Sequence, residues 1–175
     1  MKKNEKVSDL ITAGLDSVGI RFPSHPVAQK VIEASETPLA APSANKFMRT
    51  SPTTREHVIE EFGSEVMVLE GGQSEIGIES TVLGVFPDKV EIYRPGMISK
   101  DDIEEVLREK DLSIKVELAP SPVAPGQLKH HYMPKIPVAI NWDRPEEQKV
   151  SLSRPAVWRP TDPIQAAREL YGFFR

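Results

Sequence analysis

The densest group of residue types able to hold a polar ligand is Pro38-Leu-Ala-Ala-Pro-Ser-Ala-Asn-Lys46, where an apolar run ends in the hydroxyl of Ser43 and the amide of Asn45. In an extended chain residues i and i+2 point the same way. Ser43 and Asn45 can therefore converge on one bound group while Ala44 turns to the core. Pro, Ser and Asn also build ordinary turns, so the spacing alone leaves both readings open. Four other segments carry comparable chemistry. Val18-Gly-Ile-Arg-Phe-Pro-Ser-His-Pro26 brings the guanidinium of Arg21, Glu79-Ser-Thr-Val82 the hydroxyl of Ser80, Ile92-Tyr-Arg-Pro-Gly96 the guanidinium of Arg94, and Pro125-Gly-Gln-Leu-Lys-His-His-Tyr-Met-Pro134 the phenol of Tyr132. An arginine fork grips phosphate or carboxylate through two charge-assisted bonds at once. The default task of an arginine is a surface ion pair worth little, and that of Ser17 and Ser51 is a strand edge and a helix cap. His130 and His131 are adjacent in a loop without a third ligand, which does not make a zinc site.

The elements that must position these groups follow from period and punctuation. Asp16–Phe22 alternates apolar and polar residues, which predicts a strand delivering Arg21 to one face. His25-Pro26 opens a helix with Val27, Val31 and Ile32 on one side. Leu39–Ala41 reads as a short buried strand ending at the Ser-x-Asn corner. Ser51-Pro52 reads as cap and first residue of a helix whose stripe is Val58, Ile59 and Phe62 and whose stop is Gly63. Glu65–Leu69 reads as a strand with Gly71-Gly72 as its turn. Ile78–Phe86 and Lys89–Arg94 flank Pro87-Asp88 as an antiparallel hairpin, which would bring Ser80 and Arg94 close together. Ser99–Asp102 is a capping box for a helix with Ile103, Val106 and Leu107 inward, followed by a strand at Ile114–Leu118. The first domain ends near Leu118. A proline-rich connection with Gly126 as hinge follows, then strands at Val138–Trp142 and Ala156–Trp158. A last helix is capped by Asp162-Pro163, with Ile164, Ala167, Leu170 and Tyr171 on one face.

Composition narrows the function classes. The chain has 175 residues, 39% of them hydrophobic, enough for a core. It has no cysteine, which excludes disulfides, thiolate metal sites and a cysteine nucleophile and fits a reducing, cytoplasmic setting. No apolar run reaches the roughly 20 residues of a membrane span. A net charge of −4 argues against an extended nucleic-acid surface, which binds by neutralising phosphates, and leaves room for a local basic site.

Read together and in order, the five segments resemble the YrdC-like family of L-threonylcarbamoyl-AMP synthases, in the two-domain form whose Pro-Gly…His-Tyr-x-Pro linker joins a catalytic domain to a Rossmann-like one. The resemblance implies an α/β fold: a mixed, twisted open sheet with flanking helices over 1–118, a linker over 119–136, and the start of a Rossmann-like domain over 137–175. It implies condensation of L-threonine, bicarbonate and ATP, with Mg2+, into threonylcarbamoyl-AMP and pyrophosphate, for modification of the adenosine beside the tRNA anticodon. Carried over residue by residue, Ser17 and Ser51 match ATP contacts, Ser43 with Asn45 is the nucleotide-gripping pair, and Arg94 is the phosphate-binding arginine. Tyr132 belongs to the linker that crosses the nucleotide pocket. Arg21 matches the residue holding the threonine carboxylate, Ser80 a threonine contact, and Ala41 sits where some relatives have threonine, leaving a backbone contact. No catalytic nucleophile and no protein metal ligand is implied.

Members of that family also carry an upstream substrate-contacting threonine and a Lys-x-Arg motif, neither of which this chain matches. It is therefore expected to be the incomplete middle of a longer protein, opening mid-domain and stopping inside a helix. Two other readings stand beside a synthase: a noncatalytic remnant with nucleotide or RNA affinity, and a subunit completed by a separate N-terminal chain. The implied partners are the small substrates, double-stranded RNA or tRNA, and the proteins that transfer threonylcarbamoyl to tRNA; a membrane is not among them.

Overall fold

The computed structural model describes residues 1–120 and 160–174. The elements run α1 (Asp9–Thr12), α2 (Pro26–Ser35), α3 (Arg55–Phe62), β1 (Val82–Val85), β2 (Lys89–Arg94), α4 (Lys100–Glu109), β3 (Lys115–Leu118) and α5 (Pro163–Phe173). The three strands form one mixed sheet in the order β1-β2-β3, antiparallel between the first two and parallel between the last two. Helix α4 is the crossover a parallel pair requires. The fold class is thus the mixed α/β arrangement with flanking helices that the sequence predicts.

The centre strand supplies the core. Val90 and Ile92 of β2 and Val116 of β3 are buried, and Ile103, Leu107 and Ile114 pack against them. Helix α4 faces them because its first turn is fixed. Ser99 accepts a hydrogen bond from Asp102 N, and the Asp102 carboxylate accepts from Ser99 N in return. Ser99 donors, hydroxyl first and backbone N–H second, hold the Asp102 carboxyl below its ordinary value of 3.8. Val106, predicted inward, is 56% exposed. Its 3.6-residue position lies at the rim of the stripe that Ile103 and Leu107 bury.

Three predicted strands are not strands. Among the described residues, 16–22 make only an isolated bridge, Lys2 with Ser17, Phe22 is 89% exposed, and no second ladder there carries the alternation on to Arg21. Residues 39–41 are irregular and exposed, because Pro38 and Pro42 remove the donors a ladder needs on either side. Residues 65–69 lie against no neighbouring strand among the described residues, and Met67 is 87% exposed. The helix expected from Ser51 starts later. Its cap is Thr54, whose hydroxyl accepts from His57 N, and Gly63 at φ 61° ends it as expected. On that helix His57 Nδ1 accepts the Thr53 N–H at 3.3 Å. His25 precedes α2 without capping it through its side chain and instead pairs its Nε2 with Gly71 O at 3.0 Å.

Helix α5 begins as predicted, with Asp162 capping Gln165 N. It buries Ala167 and Tyr171 and leaves Ile164 58% exposed. It docks on the segment just before β1: Gly77 N–H donates to Ala167 O at 2.9 Å and Arg168 Nε to Glu75 O at 3.1 Å. Gly77 is required there, since a Cβ would stand 2.1 Å from Arg168 O. The linker, Tyr132, His130, His131 and the strands predicted at 138–142 and 156–158 lie outside the described residues.

Candidate functional site

The site grows from the open end of the β1–β2 hairpin. Val82 pairs with Arg94 and Leu83 with Ile92, so Tyr93 is an extra residue and the ladder carries a bulge at its end. A bulge sharpens the local twist and re-aims the next side chain. Arg94 would otherwise continue the inward face of Val90 and Ile92. Instead its Nε and Nη2 both donate to Ser80 O, at 3.0 and 2.9 Å. The Tyr93 phenol is pushed up by burial and by the Glu91 carboxylate.

The chain on either side is held close. Gly96 lies against the Glu79–Thr81 backbone, where a Cβ would be 2.4 Å from Thr81 N and 2.5 Å from Glu79 O. The Thr81 hydroxyl donates to Ile98 O at 2.7 Å. Glycine at 96 is therefore a packing requirement that keeps the arginine-bearing strand end against the Ser80 segment.

A second segment reaches the same point. The Ser51 hydroxyl lies 2.5 Å from Glu79 Oε1 and 3.4 Å from Asn45 Oδ1. Glu79 Oε2 is 3.8 Å from Arg94 Nη2, with side-chain exposures of 24% and 15%. Asn45, Ser51, Glu79, Ser80 and Arg94 thus form one connected polar cluster from three distant stretches of chain. Asn45 turns its own amide back to Lys46 O and Arg49 O, at 3.0 and 3.1 Å, so the ordinary-turn reading holds for that group while its carbonyl faces Ser51. Glu61, buried on α3, accepts the Lys46 N–H at 3.3 Å and ties this turn to the helix.

Of the nine residues singled out from sequence, Asn45, Ser51, Ser80 and Arg94 are brought together. Ser80 takes part through its backbone oxygen. Ser17, Arg21, Ala41 and Ser43 are exposed, and no hydrogen bond or ion pair joins their side chains to the cluster. Tyr132 lies outside the described residues. Sequence reading missed Glu79 and Glu61. Glu79 stood inside a quoted motif, next to two hydroxyl residues and ahead of a strand, which was the available signal. Among the described residues no group of three or more His, Cys, Asp or Glu could hold a metal ion. Nor is any helix there long and apolar enough to cross a membrane. The Arg94 guanidinium, fixed by the Ser80 carbonyl, and the Ser51 hydroxyl beside it are the donor groups of this cluster that suit an oxyanion.

Comparison with known proteins matches this chain to two family models. One, described as Telomere recombination and covering the Sua5, YciO and YrdC proteins, matches residues 1–96. The other, the C-terminal domain of threonylcarbamoyl-AMP synthase, matches residues 98–175. Together the two models match nearly the whole of the chain. The threonylcarbamoyl-AMP synthase of Bacillus subtilis is 41% identical over 82% of the chain, and that of Pyrococcus abyssi 38% over 80%. The chain spans 42% of the length of each. The crystal structure of P. abyssi Sua5 complexed with L-threonine superposes with a TM-score of 0.78 at 30% identity, covering 99% of this chain and 59% of that one.

Proposed function

Because the chain belongs to the Sua5/YciO/YrdC family in its two-domain form, we propose that it carries the substrate-binding core of an L-threonylcarbamoyladenylate synthase, a nucleotidyltransferase. The observation that supports this most is the Arg94–Ser80–Glu79–Ser51–Asn45 cluster, which presents oxyanion donors at the end of a hairpin. The amine of L-threonine combines with bicarbonate to a carbamate, releasing water. A carbamate oxygen then attacks the α-phosphorus of ATP and displaces pyrophosphate. Both reactants are anionic, so the protein's task is to neutralise charge and exclude water rather than to supply a nucleophile. In this reading Arg94 faces the triphosphate, with Ser51, Asn45, Ser43 and Ser17 as neutral donors. Arg21 takes the threonine carboxylate, Ser80 and the Ala41 backbone complete that pocket, and Tyr132 crosses the nucleotide.

The described residues form no carboxylate cage. Mg2+ enters this reading as the counterion that ATP would bring to the site, where it would neutralise triphosphate charge, and no step is assigned to it. The domains would run 1–118, 119–136 and 137–175. The product is consumed in tRNA modification, so tRNA and the transferring proteins are the proposed partners, and the cytoplasm the proposed compartment.

The test is formation of threonylcarbamoyl-AMP from ATP, L-threonine and bicarbonate, followed by mass. Product that requires all three supports the reading. ATP turnover indifferent to L-threonine overturns it.

A further inference from the structure

Among the described residues, Glu79 is the carboxylate that contacts both the Ser51 hydroxyl and the Arg94 guanidinium. We propose that it is a positioning residue: it holds the Ser51 hydroxyl and the Arg94 guanidinium facing one point until an anionic oxygen of the nucleotide takes its place. The inference rests on the reading of this cluster as the receiver of nucleotide phosphates.

Three observations carry it. Ser51 precedes α3 and Arg94 ends β2, so no local structure sets their separation, and Glu79 contacts both, at 2.5 and 3.8 Å. The Glu79 backbone is itself fixed, with Gly96 pressed against its carbonyl and the next residue's oxygen clamped by Arg94. Arg94 and Glu79 are both largely shielded from water, where charge–charge effects are stronger than at an open surface.

A carboxylate only accepts hydrogen bonds. A phosphate oxygen offered to the same donors competes with it and is repelled by it. Glu79 should therefore order the donors, which favours turnover, and oppose anion binding. A residue that merely supports the fold does not move those two quantities in opposite senses.

Glu79→Gln keeps a carbonyl acceptor for Ser51 and removes the charge. Calorimetric titration of the chain with MgATP and with metal-free tripolyphosphate should show both binding several-fold tighter. Where the synthase reaction is measured, kcat should fall about tenfold while KM for ATP does not rise. Weaker MgATP binding with unchanged tripolyphosphate binding would instead make Glu79 a metal ligand and overturn the proposal. So would unchanged binding and kcat.

A wild-type chain that binds neither probe contradicts the nucleotide reading. The positioning role is then still read in the ligand-free chain, from hydrogen exchange at the Arg94 Nη groups by NMR, since Glu79 contacts Nη2. Exchange several-fold faster in Glu79→Gln supports the role, and an unchanged rate overturns it.

Discussion

The guanidinium of Arg94 closes on one backbone atom, Ser80 O, through Nε at 3.0 Å and Nη2 at 2.9 Å. The residue that ends β2 is thereby locked to the segment that enters β1, beyond the last rung of their ladder. The fork is oriented before any ligand arrives, and such preorganisation is what makes a donor effective against developing charge.

Arg21 and Arg94 are assigned different anions, so their loss should be told apart by substrate. Arg21→Ala is expected to raise KM for L-threonine about tenfold or more and leave KM for ATP nearly unchanged, a charge-assisted contact being worth about 1.5–3 kcal/mol. Steady-state kinetics in each substrate decides it. Equal effects on both would reject the division.

Gly96→Ala puts a methyl group within 2.4 Å of Thr81 N and 2.5 Å of Glu79 O. Backbone cannot swing aside as a flexible side chain can. The substitution should cost about 1–3 kcal/mol, read as a lower urea midpoint at unchanged slope. It should also weaken ATP binding, because the displaced backbone carries both Glu79 and the Arg94 clamp. A wild-type midpoint would show that the approach relaxes freely.

Gly77→Ala addresses α5, since its Cβ would meet Arg168 O at 2.1 Å. The expected result is release of the Gly77–Ala167 bond and faster amide exchange across α5, with the α4 core unchanged. Exchange protection equal to wild type would contradict the docking geometry.

Acid should loosen α4 through its cap. The Asp102 carboxyl is lowered in the folded chain, chiefly by the Ser99 hydroxyl. A lowered folded-state value contributes stability that is complete above the unfolded value and lost as pH falls through the folded one. The stability difference between wild type and Asp102→Asn should thus be largest above about pH 4 and shrink below it. A difference constant through the acid range would contradict the assignment. Ser99→Ala removes the other half of the box and should cost about 1 kcal/mol at neutral pH.

What could be read from sequence was what depends on near neighbours. Alternation around Pro87-Asp88 yields the hairpin, and the hairpin brings Ser80 to Arg94 without further information. Ser99–Asp102 yields the capping box in the same way. Residues 16–22, 39–41 and 65–69 have the side chains of strands but no partner among the described residues to complete a ladder, and β-propensity describes fit to a sheet rather than the existence of one. Ser51 was misread as a cap because its hydroxyl is taken up by Glu79, 28 residues away. Thr54 caps instead, a choice decided by tertiary contact. The role of Glu79 was invisible for the same reason, since both its partners come from elsewhere in the chain.

The central claim is that the cluster around Arg94 receives the nucleotide's phosphates, and calorimetric titration of ATP into wild type and Arg94→Ala tests it most directly. Saturable binding in the wild type, weakened about tenfold or more in the variant, is the predicted result. Equal affinity in the two proteins, with the variant folded as wild type, would contradict it.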